Sequence, residues 1–158
     1  MTGVAFNVLD LEQFVPFRLW LLSGRMSKAV GRIYAERFGI SAAEWRALAV
    51  LGRGGAMTFN ELQERAAMDK VRVSRTITRL MQKDYINREV DPFDRRRITL
   101  GLSASGQAMY QAIVPHVLSV ERDILASLTP DERAMLAQLI SKLENKMAAV
   151  APADADEL

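Results

Sequence analysis

The 158-residue chain reads as a mainly α protein carrying one small β-hairpin. Two short helical patterns, joined only by Ala67-Met68-Asp69, occupy the middle of the chain, and a basic, turn-containing hairpin pattern runs from Ile86 to Leu100 directly after them. Apolar residues at helical spacing dominate both ends, so the middle lobe is expected to be mounted on long helices.

Taken in order, Phe14, Phe17, Leu21, Val30, Ile33, Tyr34 and Phe38 predict a helix over 11–38. Gly39 suits the left-handed position that ends it. Ser41-Ala42-Ala43-Glu44 opens a second helix with a capping box, in which the serine hydroxyl and the glutamate each satisfy an orphan amide. Gly52-Arg53-Gly54-Gly55 is no phosphate loop, because no strand precedes it and the glycine spacing is wrong. It reads as a helix end and turn. Thr58-Phe59-Asn60-Glu61 is another capping box, followed by Leu62 and Ala66 on an apolar side. Asp69 is an N-cap for the next helix.

On a 3.6-residue wheel, 69–83 separates into two faces. Val73, Ile77, Leu80 and Met81 form the apolar stripe, and Arg72, Arg75, Thr76, Arg79 and Lys83 share the other side. One face can pack while the other meets an anion. Tyr85-Ile86 and Ile98-Thr99-Leu100 follow as two short strands around Asp91-Pro92-Phe93-Asp94, which is rich in turn formers. Arg95, Arg96 and Arg97 then crowd three like charges that belong in water or on phosphates. Ser103 caps a helix over 104–127, and Thr129-Pro130-Asp131-Glu132 opens the last one with proline at its first position. Leu136, Leu139, Ile140, Leu143 and Met147 give that helix its apolar stripe, and 148–158 is expected to fray.

Helix, helix and basic wing in that order is the arrangement with which a winged helix-turn-helix holds double-stranded DNA. Arginine forks onto guanine edges, so a cationic helix face beside a core stripe has the chemistry for a major groove. Charge is concentrated there: residues 65–97 hold ten Lys or Arg against five Asp or Glu, a net of +5, in a chain of net +2, so the remainder sums to −3. Such a local patch is a footprint for a polyanion. A solvated charged face is the alternative for any single basic helix.

Asp69-Lys70-Val71-Arg72-Val73-Ser74-Arg75 with Leu80, then Asp91-Pro92-Phe93-Asp94-Arg95-Arg96, Leu102-Ser103-Ala104-Ser105-Gly106 and, upstream, Glu44-Trp45-Arg46-Ala47-Leu48, together resemble the multiple-antibiotic-resistance regulator (MarR) family over about 11–147. The resemblance implies a homodimeric, usually repressing transcription factor on a pseudo-palindromic operator, released by a small molecule or oxidant. It also implies base or phosphate contacts at Arg72, Ser74 and Arg75, and a minor-groove contact at Arg96 steadied by Asp94. Many members carry arginine where this chain has Phe93, and Arg95 or Arg97 stand as substitutes. Thr76 and Arg79 complete the expected recognition helix.

The segments then divide into an N-terminal dimerisation helix (1–40), a DNA-binding lobe (41–103), C-terminal dimerisation helices (104–147) and a tail. An effector crevice between lobe and dimerisation helices is expected to draw on Phe17, Trp20, Trp45 and Met109 as apolar wall and Arg18, Arg46 or His116 as polar anchors. That lining suits an aromatic carboxylate or phenol. Each of these residues has a plainer role in core packing or surface pairing.

No apolar run approaches the roughly 20 residues that span a bilayer, and no signal-peptide pattern opens the chain. A cytoplasmic protein is therefore expected. With no cysteine and a single histidine, thiol sensing, thiolate metal sites and an HExxH zinc helix are excluded, the sequence supports no conventional catalytic triad, and no cofactor is called for. Two other readings stay open: an architectural or protein-binding winged-helix module without effector control, and a small enzyme, for which the sequence offers no catalytic constellation.

Overall fold

The computed structural model describes residues 9–90 and 98–150. The elements are α1 (Val15–Phe38), α2 (Ala42–Gly54), β1 (Met57–Thr58), α3 (Phe59–Arg65), α4 (Lys70–Gln82), β2 (Ile86–Val90), β3 (Ile98–Leu102), α5 (Ala104–Leu125) and α6 (Pro130–Val150). They fall into two compact units, Met1–Leu118 and Ser119–Leu158.

Local chemistry sets the boundaries. α1 starts at Val15 with a proline in its first turn, later than residue 11, because 11–13 form a turn. Its end is Gly39 at φ 63°, the left-handed conformation that glycine adopts without a Cβ penalty. The capping boxes at Ser41/Glu44 and Thr58/Glu61 are both made, each with reciprocal side-chain and backbone bonds. In the second unit, the Thr129 amide donates to Glu132 Oε2 at 2.8 Å, and the Glu132 amide to Thr129 Oγ1 at 3.3 Å. Gly55, at φ 73°, turns the chain from α2 into β1.

β1 escaped the sequence reading because two residues carry no alternation to detect. It pairs antiparallel with β3 through Met57↔Leu100 and Thr58↔Thr99, and β3 pairs with β2 from Ile86↔Leu102 to Val90↔Ile98, giving the order β1-β3-β2. Both hairpin strands extend further than the expected Tyr85-Ile86 and Ile98-Thr99-Leu100. The expected wing tip, Pro92 to Arg97, lies outside the described residues.

The first unit's core is continuous. Leu48, Leu62, Val73, Leu80 and Ile113 are fully buried, joined by Tyr34, Ile40, Leu51, Ile77, Ile86 and Leu100. α2, α3, α4, the sheet and α5 thus share one apolar centre, which fixes the orientation of α4. In the second unit, α6 buries none of its residues and leaves Met135, Leu136, Leu139, Ile140, Leu143, Met147 and Val150 exposed.

Candidate nucleic-acid interface and effector cavity

α4 begins where Asp69 Oδ1 accepts the Arg72 amide at 2.8 Å, so its N-terminal turn is fixed by a side-chain cap. Val73, Ile77 and Leu80 point into the core, and Arg72, Ser74, Arg75 and Arg79 are exposed. A groove of about 600 Å³ between α4 and the start of α2 is lined by Arg72, Arg75 and Arg79 together with Ser41, Ala42 and Ala43. Three guanidiniums along one helix edge have the charge to meet a polyanion.

Three side chains depart from the wheel. Thr76 is buried and its hydroxyl donates to the Arg72 carbonyl at 2.7 Å, so it belongs to the packed edge and is corrected from the exposed face. Such back-bonding satisfies a hydroxyl that has left water. Met81 lies at the apolar boundary and is 42% exposed. Lys83 reaches to α2 and pairs with Glu44 at 2.7 Å. Asp94, Arg95, Arg96 and Arg97 lie outside the described residues, as does Phe93.

The turn between α3 and α4 is tight. Ala67 sits at φ 47°, a left-handed conformation that costs a residue with a Cβ. Its surroundings hold it there: the Ala66 amide donates to Leu62 O at 2.9 Å, the Ala67 amide to Glu64 O at 3.0 Å and the Met68 amide to Gln63 O at 3.2 Å. Arg46 Nη1, from α2, donates to the carbonyls of Ala66 at 3.2 Å and Ala67 at 3.4 Å.

Arg46 also lines a cavity of about 800 Å³ between α1 and α2, with Met26, Val30, Tyr34, Trp45, Val50, Arg53 and Arg65 among its lining. Tyr34 and Trp45 stack at 6.1 Å, and Trp45 and Tyr110 at 6.0 Å, separations typical of offset aromatic pairs. Burial pushes the Tyr34 hydroxyl above its usual range, partly offset by the Arg46 charge. An apolar wall with aromatic faces and lining guanidiniums has the chemistry to take a small aromatic anion.

Of the expected effector residues, the structure brings Trp45 and Arg46 together in this cavity. Phe17 and Trp20 instead stack on each other along α1 at 5.9 Å, and Arg18 lines a separate recess with Val15, Leu19 and Leu22. Met109 packs against the core. His116 Nδ1 accepts from Arg37 Nη1 at 3.3 Å, with its ring 5.7 Å from Phe38. None of those five lines the α1–α2 cavity. Tyr34 and Met26 were missed as lining because the stripe marks the packed side of a helix but not which part faces a void.

A lobe of α2, α3 and α4 closed by a three-stranded sheet, with a cationic helix edge exposed, defines a winged helix-turn-helix protein. The MarR family model matches residues 38–97, which include α2, α3, α4 and β2. A MarR-family transcriptional regulator from Silicibacter pomeroyi is similar in structure, with TM-score 0.73 and 30% identity over 92% of this chain and 95% of that one. The chain belongs to the MarR family of transcriptional regulators. It is also 31% identical to the Escherichia coli O111:H- transcriptional regulator HosA over 84 residues, 53% of this chain and 62% of that relative's length. The Escherichia coli homoprotocatechuate degradative operon repressor is 25% identical over 70% of this chain and 75% of its own. Among the described residues, no helix is long and apolar enough to cross a membrane.

Proposed function

We propose that the chain is a cytoplasmic, homodimeric repressor that places α4 in the major groove of a pseudo-palindromic operator and lets go when a small aromatic carboxylate or phenol fills the α1–α2 cavity. The observation that carries this is the division of α4: Val73, Ile77 and Leu80 are locked in the core while Arg72, Ser74, Arg75 and Arg79 are exposed. A helix held from behind with its guanidiniums free can reach base edges and phosphates together. The family resemblance adds the wing, with Arg96 in the minor groove, Asp94 steadying it, and Arg95 and Arg97 on phosphates.

Dimerisation is supported by apolar surface. α1 leaves Val15, Leu19 and Trp20 exposed, and α6 presents the row from Met135 to Val150. Exposed apolar surface on this scale marks an interaction site. A two-fold dimer sets its two α4 helices about 34 Å apart, one DNA turn. Release is supported by Arg46, which both lines the cavity and donates to the Ala66 and Ala67 carbonyls. A bound carboxylate competes for that guanidinium through stronger, charge-assisted bonds. The strained turn ahead of α4 then loses a donor. The name of the homoprotocatechuate operon repressor agrees with an aromatic acid as the signal class.

The test is selection of genomic fragments by the purified protein at physiological salt with excess non-specific competitor, with and without benzoate or phenol. Recovery of a pseudo-palindrome with half-sites about 10 base pairs apart supports the reading. Failure of a folded protein to enrich any sequence overturns it in favour of an architectural or protein-binding module.

A further inference from the structure

Lys83 continues the sequence spacing of the arginine row at 72, 75 and 79, and its side chain is engaged by Glu44 and Gly39. Its ammonium lies 2.7 Å from Glu44 Oε1 and donates to the Gly39 carbonyl at 3.1 Å. Glu44 is 3% exposed. Its second oxygen accepts the Ser41 amide at 2.7 Å, and its own amide donates to Ser41 Oγ at 3.2 Å. The end of α4, the first turn of α2 and the left-handed cap of α1 therefore converge on one ammonium. Gly39 contributes its carbonyl from the left-handed cap of α1, at φ 63°.

We propose that Lys83 is a positioning residue for operator recognition, and that its junction with Glu44 and Gly39 sets the angle of α4 against the α1–α2 corner. The proposal rests on the reading of α4 as the DNA-contacting helix. Its physical basis is a charge pair with one buried member: the Glu44 side chain is 4% exposed and the Lys83 side chain 36%, and removing either partner takes away the bond that ties the end of α4 to the start of α2. Burial alone pushes the Glu44 carboxyl up, but hydrogen bonds from Lys83 and Ser41, with the Lys83 charge, hold it below the ordinary carboxylate range. A charge spent on Glu44 is not free for a phosphate, so Lys83 acts on DNA through geometry. The same junction ties α1 to α4, so a shift at the end of α1 reaches the recognition helix through it.

The experiment uses the full chain, a genomic fragment that the wild-type protein has itself selected, and the variants K83M, E44Q and K83R. If Lys83 were a phosphate contact, K83M would lower the salt slope by about 1 and E44Q, which frees the ammonium, would tighten binding. If Lys83 positions α4, K83M and E44Q both weaken operator binding by about tenfold, the double variant is no weaker than either alone, and the salt slope is unchanged. K83R retains most of the affinity. Hydrogen exchange at the Arg79–Lys83 amides, measured without DNA, accelerates in K83M and E44Q. Tightening by E44Q, a reduced salt slope in K83M, or affinity and exchange equal to wild type in both would overturn the proposal. Should the wild-type protein select no fragment, the DNA reading fails on its own and the exchange measurement still decides for or against the junction.

Discussion

Gly106 is the position where a single methyl group has the largest consequence. It lies in the first turn of α5, where replacing glycine by alanine in an open helix stabilises by about 1 kcal/mol. Here a Cβ would sit 1.9 Å from the Tyr85 carbonyl oxygen and 2.8 Å from its carbon. An ordinary C···O contact is about 3.3 Å, so helix and turn must part by roughly 1.4 Å. That separation breaks the bond from the Ser103 amide to the Tyr85 carbonyl, 3.1 Å long. It also disturbs the Ser103 and Ser105 hydroxyls, which both donate to the Asp84 carbonyl. Overpacking costs about 1 to 3 kcal/mol and two or three strained hydrogen bonds about 1 kcal/mol each. After the propensity gain, Gly106→Ala is destabilised by about 2 to 5 kcal/mol, a fall of roughly 10 °C in Tm for a chain of this length. Thermal and urea unfolding at one fixed protein concentration give the number. A variant as stable as wild type, or more so, would refute the close approach between α5 and the foot of the wing.

Other perturbations bear on separate parts of the account. Glu44 has a folded pKa below its ordinary value of 4.5, so its contribution is complete above that value and is lost as pH falls through the depressed one. Stability curves of wild type and E44Q should therefore converge in acid; a constant offset down to the lowest pH would contradict this. Leu80→Ala, at a fully buried site, should cost about 2 to 5 kcal/mol in urea unfolding, whereas Met81→Ala, 42% exposed, should stay within about 0.5 kcal/mol. Equal costs would mean that α4 is rotated from the orientation described. Leu139→Glu places a charge in the exposed apolar row of α6 and should shift sedimentation from dimer to monomer; an unchanged dimer would move the interface elsewhere.

Much of the lobe was legible because its signals are local. Ser41/Glu44, Thr58/Glu61 and Asp69 announce helix starts through bonds spanning three residues, and all three caps are made. The period of Val73, Ile77 and Leu80 likewise fixed which side of α4 packs. What the sequence hid depends on distant partners. Thr76 and Lys83 sit at the edge of the cationic side on a wheel, and only the approach of α2 draws one into the packed edge and the other onto Glu44. The cavity shows the same limit: Trp45 and Arg46 were legible as aromatic and cation side by side on α2, but Tyr34 joins them only through the way α1 packs on α2. His116, Phe17 and Trp20 have the right chemistry on other surfaces.

The central claim is that the exposed edge of α4 reads DNA sequence, and Arg75 tests it most directly. Wild type and Arg75→Ala should be titrated against a selected operator fragment and against variants altered at each half-site position, at fixed salt. Arg75→Ala should lose about 1 to 3 kcal/mol, with selectivity relaxed at one position of each half-site. Unchanged affinity and unchanged selectivity in a folded Arg75→Ala protein would contradict it.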